Sequence, residues 1–159
     1  MTKRKPKILI YGYGNPGRQD DGVGVMLSEE IERWLRDEEI SCVDTDSNYQ
    51  LNLEDAAEIT NFETVIFADA SHADIPGILF EKLHPSPSVE FTMHAVSPAF
   101  ILHMCGEVFD HVPEAYLLHI KGYSWEFMQE LTPEARQNLE KAIAFVKQFI
   151  GQNKLSCCQ

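Results

Sequence analysis

Asp20 and Asp21 stand side by side at the end of the glycine-rich stretch Gly12-Tyr13-Gly14-Asn15-Pro16-Gly17-Arg18-Gln19. Adjacent carboxylates repel, and no turn needs two of them. Asp69 follows the apolar run of residues 64–68, and His94 follows the short segment Phe91-Thr92-Met93. Two carboxylates and an imidazole, with coordination positions to spare, suit a borderline divalent metal. An incomplete shell leaves room for a water or for a group from another molecule, which is how a metal acts as a Lewis acid. Each residue also has a plainer explanation. Asp21 could be the N-cap of the helix that follows, a role that Asp20 fills equally well. His94 could be an ordinary polar loop residue. Asp69 carries the stronger signal, because α/β sheets keep their sites at the carboxyl ends of strands.

Bringing these side chains together is the task of the elements between them. Residues 8–11 read as a buried strand that runs into the glycine loop. Val23, Leu27, Ile31, Trp34 and Leu35 then recur at helical spacing. A second strand is expected at 40–43, ending in the acidic turn Asp44-Thr45-Asp46-Ser47-Asn48, with a helical stretch over 51–60. Residues 64–68 form the continuous apolar run of a strand covered on both faces. A strand at 78–83 and a linker with Pro85 and Pro87 follow. Pro98 suits the first turn of a helix carried by Phe100, Ile101, Leu102, Met104 and Cys105. Residues 115–121 read as a further strand. Thr132-Pro133-Glu134 opens the last helix, whose stripe of Leu139, Ala142, Ile143, Val146 and Ile150 is closed by Gly151, leaving 152–159 as a flexible tail. Strands alternating with helices indicate an open α/β sheet with helices on both faces. If the first and third strands flank the reversal of strand order, Asp21 and Asp69 face each other across the crevice.

The composition bounds the partners. A chain of 159 residues is expected to be one domain, 1–159, able to bury a core without staples. A formal net charge of -12 argues against nucleic acid or an anionic membrane as the partner. Cys42, Cys105, Cys157 and Cys158 include no C-x-x-C pair, and neither a zinc knuckle nor a disulfide framework fits their spacing. The basic start MTKRKPK leads into too short an apolar run for a signal peptide, and no stretch reaches transmembrane length. A reduced cytoplasmic setting is therefore expected.

Two other functions compete for the same loop. Gly12, Gly14 and Gly17 satisfy G-x-G-x-x-G, with Asp44 or Asp46 near the end of the next strand, as in a dinucleotide-binding module. Asp20 and Asp21 oppose that reading, since their charge lies where a pyrophosphate would sit. The local GNPG at 14–17 resembles the opening of peptidyl-tRNA hydrolases. The Thr-Arg-His-Asn-type segment that follows in those enzymes is absent, and -12 is a poor charge for binding tRNA.

Taken in order, GYGNPGRQDDGVGV at 12–25, VIFADA at 65–70, MHAVSP around His94 and IKGYSWEF…LTPEA at 120–135 resemble the hydrogenase maturation proteases. These endopeptidases trim the C-terminus of the large subunit of nickel-iron hydrogenases. The resemblance implies a three-layer helix–sheet–helix fold with a mostly parallel twisted sheet, of the phosphorylase/hydrolase-like kind. It also implies a metal-contacting trio of Asp21, Asp69 and His94, which carries the catalysis. The metal would be nickel already loaded into the immature large subunit, so it arrives with the substrate, and other divalent ions could take its place in vitro. Asp46 keeps an acidic position near the substrate, and Gly14 and Asn15 belong to the same substrate-binding rim. The free protein is expected to be a monomer. Where many members carry Asp-Gly-Gly-Thr, this chain has Asp46-Ser47-Asn48-Tyr49, which points to a different large-subunit partner. No serine or cysteine nucleophile with a nearby base is evident, which disfavours a covalent acyl-enzyme.

Overall fold

The computed structural model describes residues 7–88 and 96–157, with side chains as far as Asn153. In chain order the elements are β1 (Ile8–Tyr13), a 3-10 turn (Gln19–Gly22), α1 (Val23–Asp37), β2 (Val43–Asn48), α2 (Asp55–Ile59) and β3 (Thr64–Ser71). These are followed by β4 (Ile78–Leu83), α3 (Pro98–Phe109), β5 (Glu114–Lys121) and α4 (Pro133–Cys157). The five strands lie in the order β2-β1-β3-β5-β4, and all pair in parallel except β4 with β5.

Alternation along the strands sends side chains to two cores. Ile8 and Ile10 of β1, Ile66 of β3 and Leu118 and Ile120 of β5 meet the apolar stripes of α1 and α4. Leu9, Tyr11, Val65 and Phe67 point the other way, against Ala56 and Ile59 of α2 and Ile101, Leu102 and Cys105 of α3. The result is the expected three-layer helix–sheet–helix arrangement. From β1 the chain crosses by α1 to β2 on one side, then returns by α2 to β3 on the other. The strand order therefore reverses at β1, and the crevice at the carboxyl ends of β1 and β3 is the switch point where such sheets bind ligands.

Several boundaries differ from those expected, each for a physical reason. The second strand is Val43–Asn48 instead of 40–43, so the acidic run taken for a turn is itself a strand. It is a sheet edge with one neighbour and partly exposed faces, which tolerates Asp44, Asp46 and Ser47 where an interior strand would not. The third strand continues to Ser71, so Asp69 lies within it instead of just beyond it. Helix α2 covers only Asp55–Ile59 of the expected 51–60. Helix α3 begins as expected, with Ser97 accepting from the Phe100 N–H and Pro98 in the first turn. Helix α4 does not stop at Gly151 but runs to Cys157, because a glycine with open space around it weakens a helix without ending it. Cys42 is disulfide-bonded, a pairing that the spacing did not suggest. The extended segment expected at 91–93 and His94 lie outside the described residues.

Candidate active site at the switch point

Two glycines let α1 begin directly on top of the strand ends. A Cβ on Gly24 would come within 2.4 Å of the Ala68 carbonyl oxygen of β3 and 2.8 Å of the Tyr13 carbonyl oxygen of β1. A Cβ on Gly12 would lie 1.9 Å from the Gly24 carbonyl oxygen. No side chain fits in either contact, so the 3-10 turn that carries Asp20 and Asp21 is drawn down onto the sheet. Gly14, at φ +136, has a conformation that L residues rarely adopt, and its backbone passes beneath Asp21.

The two adjacent aspartates then part company. Asp20 is fully buried. Its carboxylate accepts from the backbone N–H groups of Tyr123, Ser124 and Thr132 and from the Thr132 hydroxyl, at 2.7 to 3.1 Å. Asp20 thus ties the β1–α1 loop to the β5–α4 loop. Neither aspartate caps α1, whose N-cap is Gly22 without a side-chain bond. Asp21 remains half-exposed at the crevice, and its Oδ2 accepts the Asn15 N–H at 2.7 Å.

Asp69 meets Asp21 at this rim. The register pairs Gly12 with Ala68, which brings Tyr13 and Asp69 next to each other at the end of the two strands. The Tyr13 hydroxyl donates to the Asp69 carboxylate, and burial with that anion beside it pushes the phenol well above its ordinary pKa. Asp69 itself is pushed up to about 7, first by burial and then by the negative charge of Asp21. Hydrogen bonds from the Ala70 N–H and from Tyr13 pull in the opposite direction without prevailing. Two carboxylates that resist joint ionisation are suited to a cation, which removes the repulsion between them. Among the described residues no three His, Cys, Asp or Glu side chains converge closely enough to hold a metal ion. His94, the expected third ligand, is outside those residues.

The remaining expected site residues divide. Gly14 lines a groove of about 240 Å³ with Pro16, Val25, Ser47, Asn48 and Tyr49. The Asn15 backbone holds Asp21, while its side-chain oxygen accepts the Gly17 N–H at 2.9 Å. Asp46 lies on the same face of the sheet but one strand further out, opposite Tyr11. There it takes part in a carboxyl–carboxylate hydrogen bond with Glu58, whose pKa rises to about 7 through burial, that bond and the charges of Asp46, Asp55 and Asp44. Nothing in its contacts joins Asp46 to the Asp21–Asp69 pair. Cys105 is buried between α3 and α2, with its thiol pushed up to about 11 by burial, which makes it a poor nucleophile.

Tyr13 and Glu58 were not singled out in the sequence, and Asp20 was read there only as one of an acidic pair or as an N-cap. Tyr13 lay hidden because the apolar run breaks at Gly12 while the strand does not. Its signal was the alternation Leu9, Tyr11, Tyr13, which marks one face of the sheet.

Fold and site together define an α/β protein with an acidic pair at its topological switch point. Among solved structures, the chain superimposes on a NiFe hydrogenase maturation protease, HycI, from Thermococcus kodakarensis at a TM-score of 0.72 and 18% identity, covering 92% of this chain and 94% of that one. The hydrogenase maturating endopeptidase HybD from Escherichia coli matches at 0.70 and 22% identity, covering 94% and 93%. A hydrogenase 2 maturation peptidase from a Thaumarchaeota archaeon matches at 0.63 and 20%, covering 91% and 98%. The likeness establishes the fold over nearly the whole length of each chain. No sequence-family model and no curated protein sequence matches the chain.

Proposed function

We propose that this protein is an endopeptidase that removes a C-terminal peptide from the nickel-loaded large-subunit precursor of a nickel-iron hydrogenase. The observation that carries the reading is the Asp21–Asp69 pair, two mutually repelling carboxylates at the carboxyl rim of β1 and β3. The motifs in order along the chain and the fold shared with hydrogenase maturation proteases support it. In this reading Asp21, Asp69 and His94 grip the nickel that the precursor carries, so the metal is part of the substrate. The gripped metal fixes where the C-terminal extension lies. Before the precursor binds, burial and the charge of Asp21 hold Asp69 up to about 7, and a cation between the two carboxylates would remove that repulsion and keep Asp69 ionised as a ligand. Gly14 lines the groove, the Asn15 N–H holds the Asp21 carboxylate, and Asp46 stands further along the same side for contact with the substrate.

The protein acts as a monomer in the cytoplasm in this reading. Among the described residues no helix is long and apolar enough to cross a membrane. The test is cleavage of a purified precursor, with and without nickel, by the wild type and by Asp21→Asn, Asp69→Asn and His94→Ala. The wild type should shorten only the nickel-loaded precursor, and each substitution should abolish that activity. Unimpaired processing by all three variants would refute the assignment.

A further inference from the structure

The loop between β5 and α4 combines two features that a soluble protein has reason to avoid. Phe127 and Met128 stand 70% and 92% exposed, side by side. Met128 also has φ 58, a left-handed conformation that is uncommon for a long apolar side chain. Neither feature arises from slackness in the loop. The Met128 N–H donates to the Gly17 carbonyl at 2.9 Å, the Glu126 N–H to the Gln19 side chain at 3.1 Å, and Arg18 Nε to the Trp125 carbonyl at 3.2 Å. The Arg18 guanidinium lies 5.8 Å from the Phe127 ring centroid. Trp125 stacks on His72 at 3.7 Å, and His72 follows directly on β3, which carries Asp69. Asp20, beside Asp21, binds the near end of the loop through Tyr123 and Ser124 and the far end through Thr132.

The loop is therefore clamped to both segments that bear the rim carboxylates, and the clamp displays two apolar side chains to solvent. We infer that Phe127 and Met128 are the anchor by which the protein docks on its macromolecular substrate. This rests on the function proposed above and specifies how the precursor is recognised beyond its metal. A second copy of this chain is the poorer occupant. Two side chains supply far less than the roughly 1,200 Å² that a stable interface buries, and two chains of charge -12 repel. A precursor held at the same time through its metal needs only a small additional contact. The partner surface is an apolar depression with basic residues around it, complementary to Phe127, Met128 and the flanking Glu126 and Glu130. Exposed methionine adapts to such a depression.

The experiment compares the full-length wild type with the double variant Phe127→Ser, Met128→Asn. Asparagine tolerates the left-handed backbone, so the loop is retained while its apolar surface is removed. With the nickel-loaded precursor as substrate, the double variant should show KM raised about tenfold or more, as for loss of an interface anchor, with most of the effect in KM and little in kcat. Binding of the precursor, followed by biolayer interferometry, should weaken to a similar extent, while the thermal midpoint of the variant matches the wild type. Processing and binding by the folded double variant at wild-type KM and affinity would overturn the docking inference and leave the proposed function intact. A wild-type dimer in sedimentation that the double variant loses would also overturn it, assigning the patch to self-association. Precursor binding that depends on the patch, in a wild type that cleaves nothing, would uphold docking and defeat the proposed function.

Discussion

The Asp20 carboxylate accepts both the backbone N–H of Thr132, at 2.9 Å, and its hydroxyl, at 2.7 Å, across 112 residues of chain. Asp21, next to it, has no such role and faces the crevice. The two positions should therefore respond to substitution in opposite ways. Asp20→Ala strands the N–H groups of Tyr123, Ser124 and Thr132 and should destabilise the fold by about 3 kcal/mol or more. Asp21→Ala loses one acceptor for the Asn15 N–H and should change stability by about 1 kcal/mol or less, since repulsion with Asp69 is relieved. Urea unfolding of both variants measures the contrast directly.

The protonation of Asp69 predicts how stability varies with pH. Its pKa in the folded state, about 7, exceeds the ordinary carboxylate value of 3.8, so the folded protein holds this proton more tightly than the unfolded chain. The resulting stabilisation is complete below the ordinary value and is lost as the pH rises through about 7. The metal-free wild type should thus lose stability across that window. Asp69→Asn should flatten the dependence and melt higher than the wild type at pH 8. Thermal midpoints collected at several pH values between 4 and 8 give the comparison.

Glu58 contributes a second part of the same slope from a different place. Its pKa of about 7 reflects partial loss of hydration first, then the hydrogen bond with Asp46 and the charges of Asp46, Asp55 and Asp44, and that stabilisation is likewise lost as the pH rises through about 7. Glu58 is exposed, so solvent and salt screen the effect. Glu58→Gln, which donates to Asp46 without needing a proton, should raise the midpoint at pH 8 and leave it little changed at pH 5. The gain should be smaller than that of Asp69→Asn and should shrink further in high salt.

Gly24 is the position where the smallest added group should do most harm. Gly24→Ala places a methyl 2.4 Å from the Ala68 carbonyl oxygen, a backbone atom that cannot swing aside. Lifting α1 off the strand ends should cost about 1–3 kcal/mol and move Asp21 away from Asp69. Denaturant unfolding and precursor cleavage, measured on the same preparation, should both decline.

Much of this was legible in the sequence because apolar runs and helix stripes report burial directly. The strand of residues 64–68 and the stripe Leu139, Ala142, Val146 and Ile150 were found that way. The extent of the edge strand β2 escaped, because the half-exposed sequence VDTDSN carries no apolar alternation and only the apolar residues before it read as strand. The difference between Asp20 and Asp21 escaped as well. Both are aspartates in one short turn, and only the return of Thr132 from the far end of the chain decides which is buried. The placing of Asp21 and Asp69 at one rim was readable, because it needed only the strand order and the positions where two strands end.

Cobalt(II) titration followed by visible absorption tests the central claim most directly, because it asks whether Asp21, Asp69 and His94 serve one ion. The account predicts one binding site per chain, strengthening as the pH approaches 7, with the absorption bands weakened or lost in Asp21→Asn, Asp69→Asn and His94→Ala alike. Bands of unchanged position and affinity in the Asp21 and Asp69 variants would contradict it.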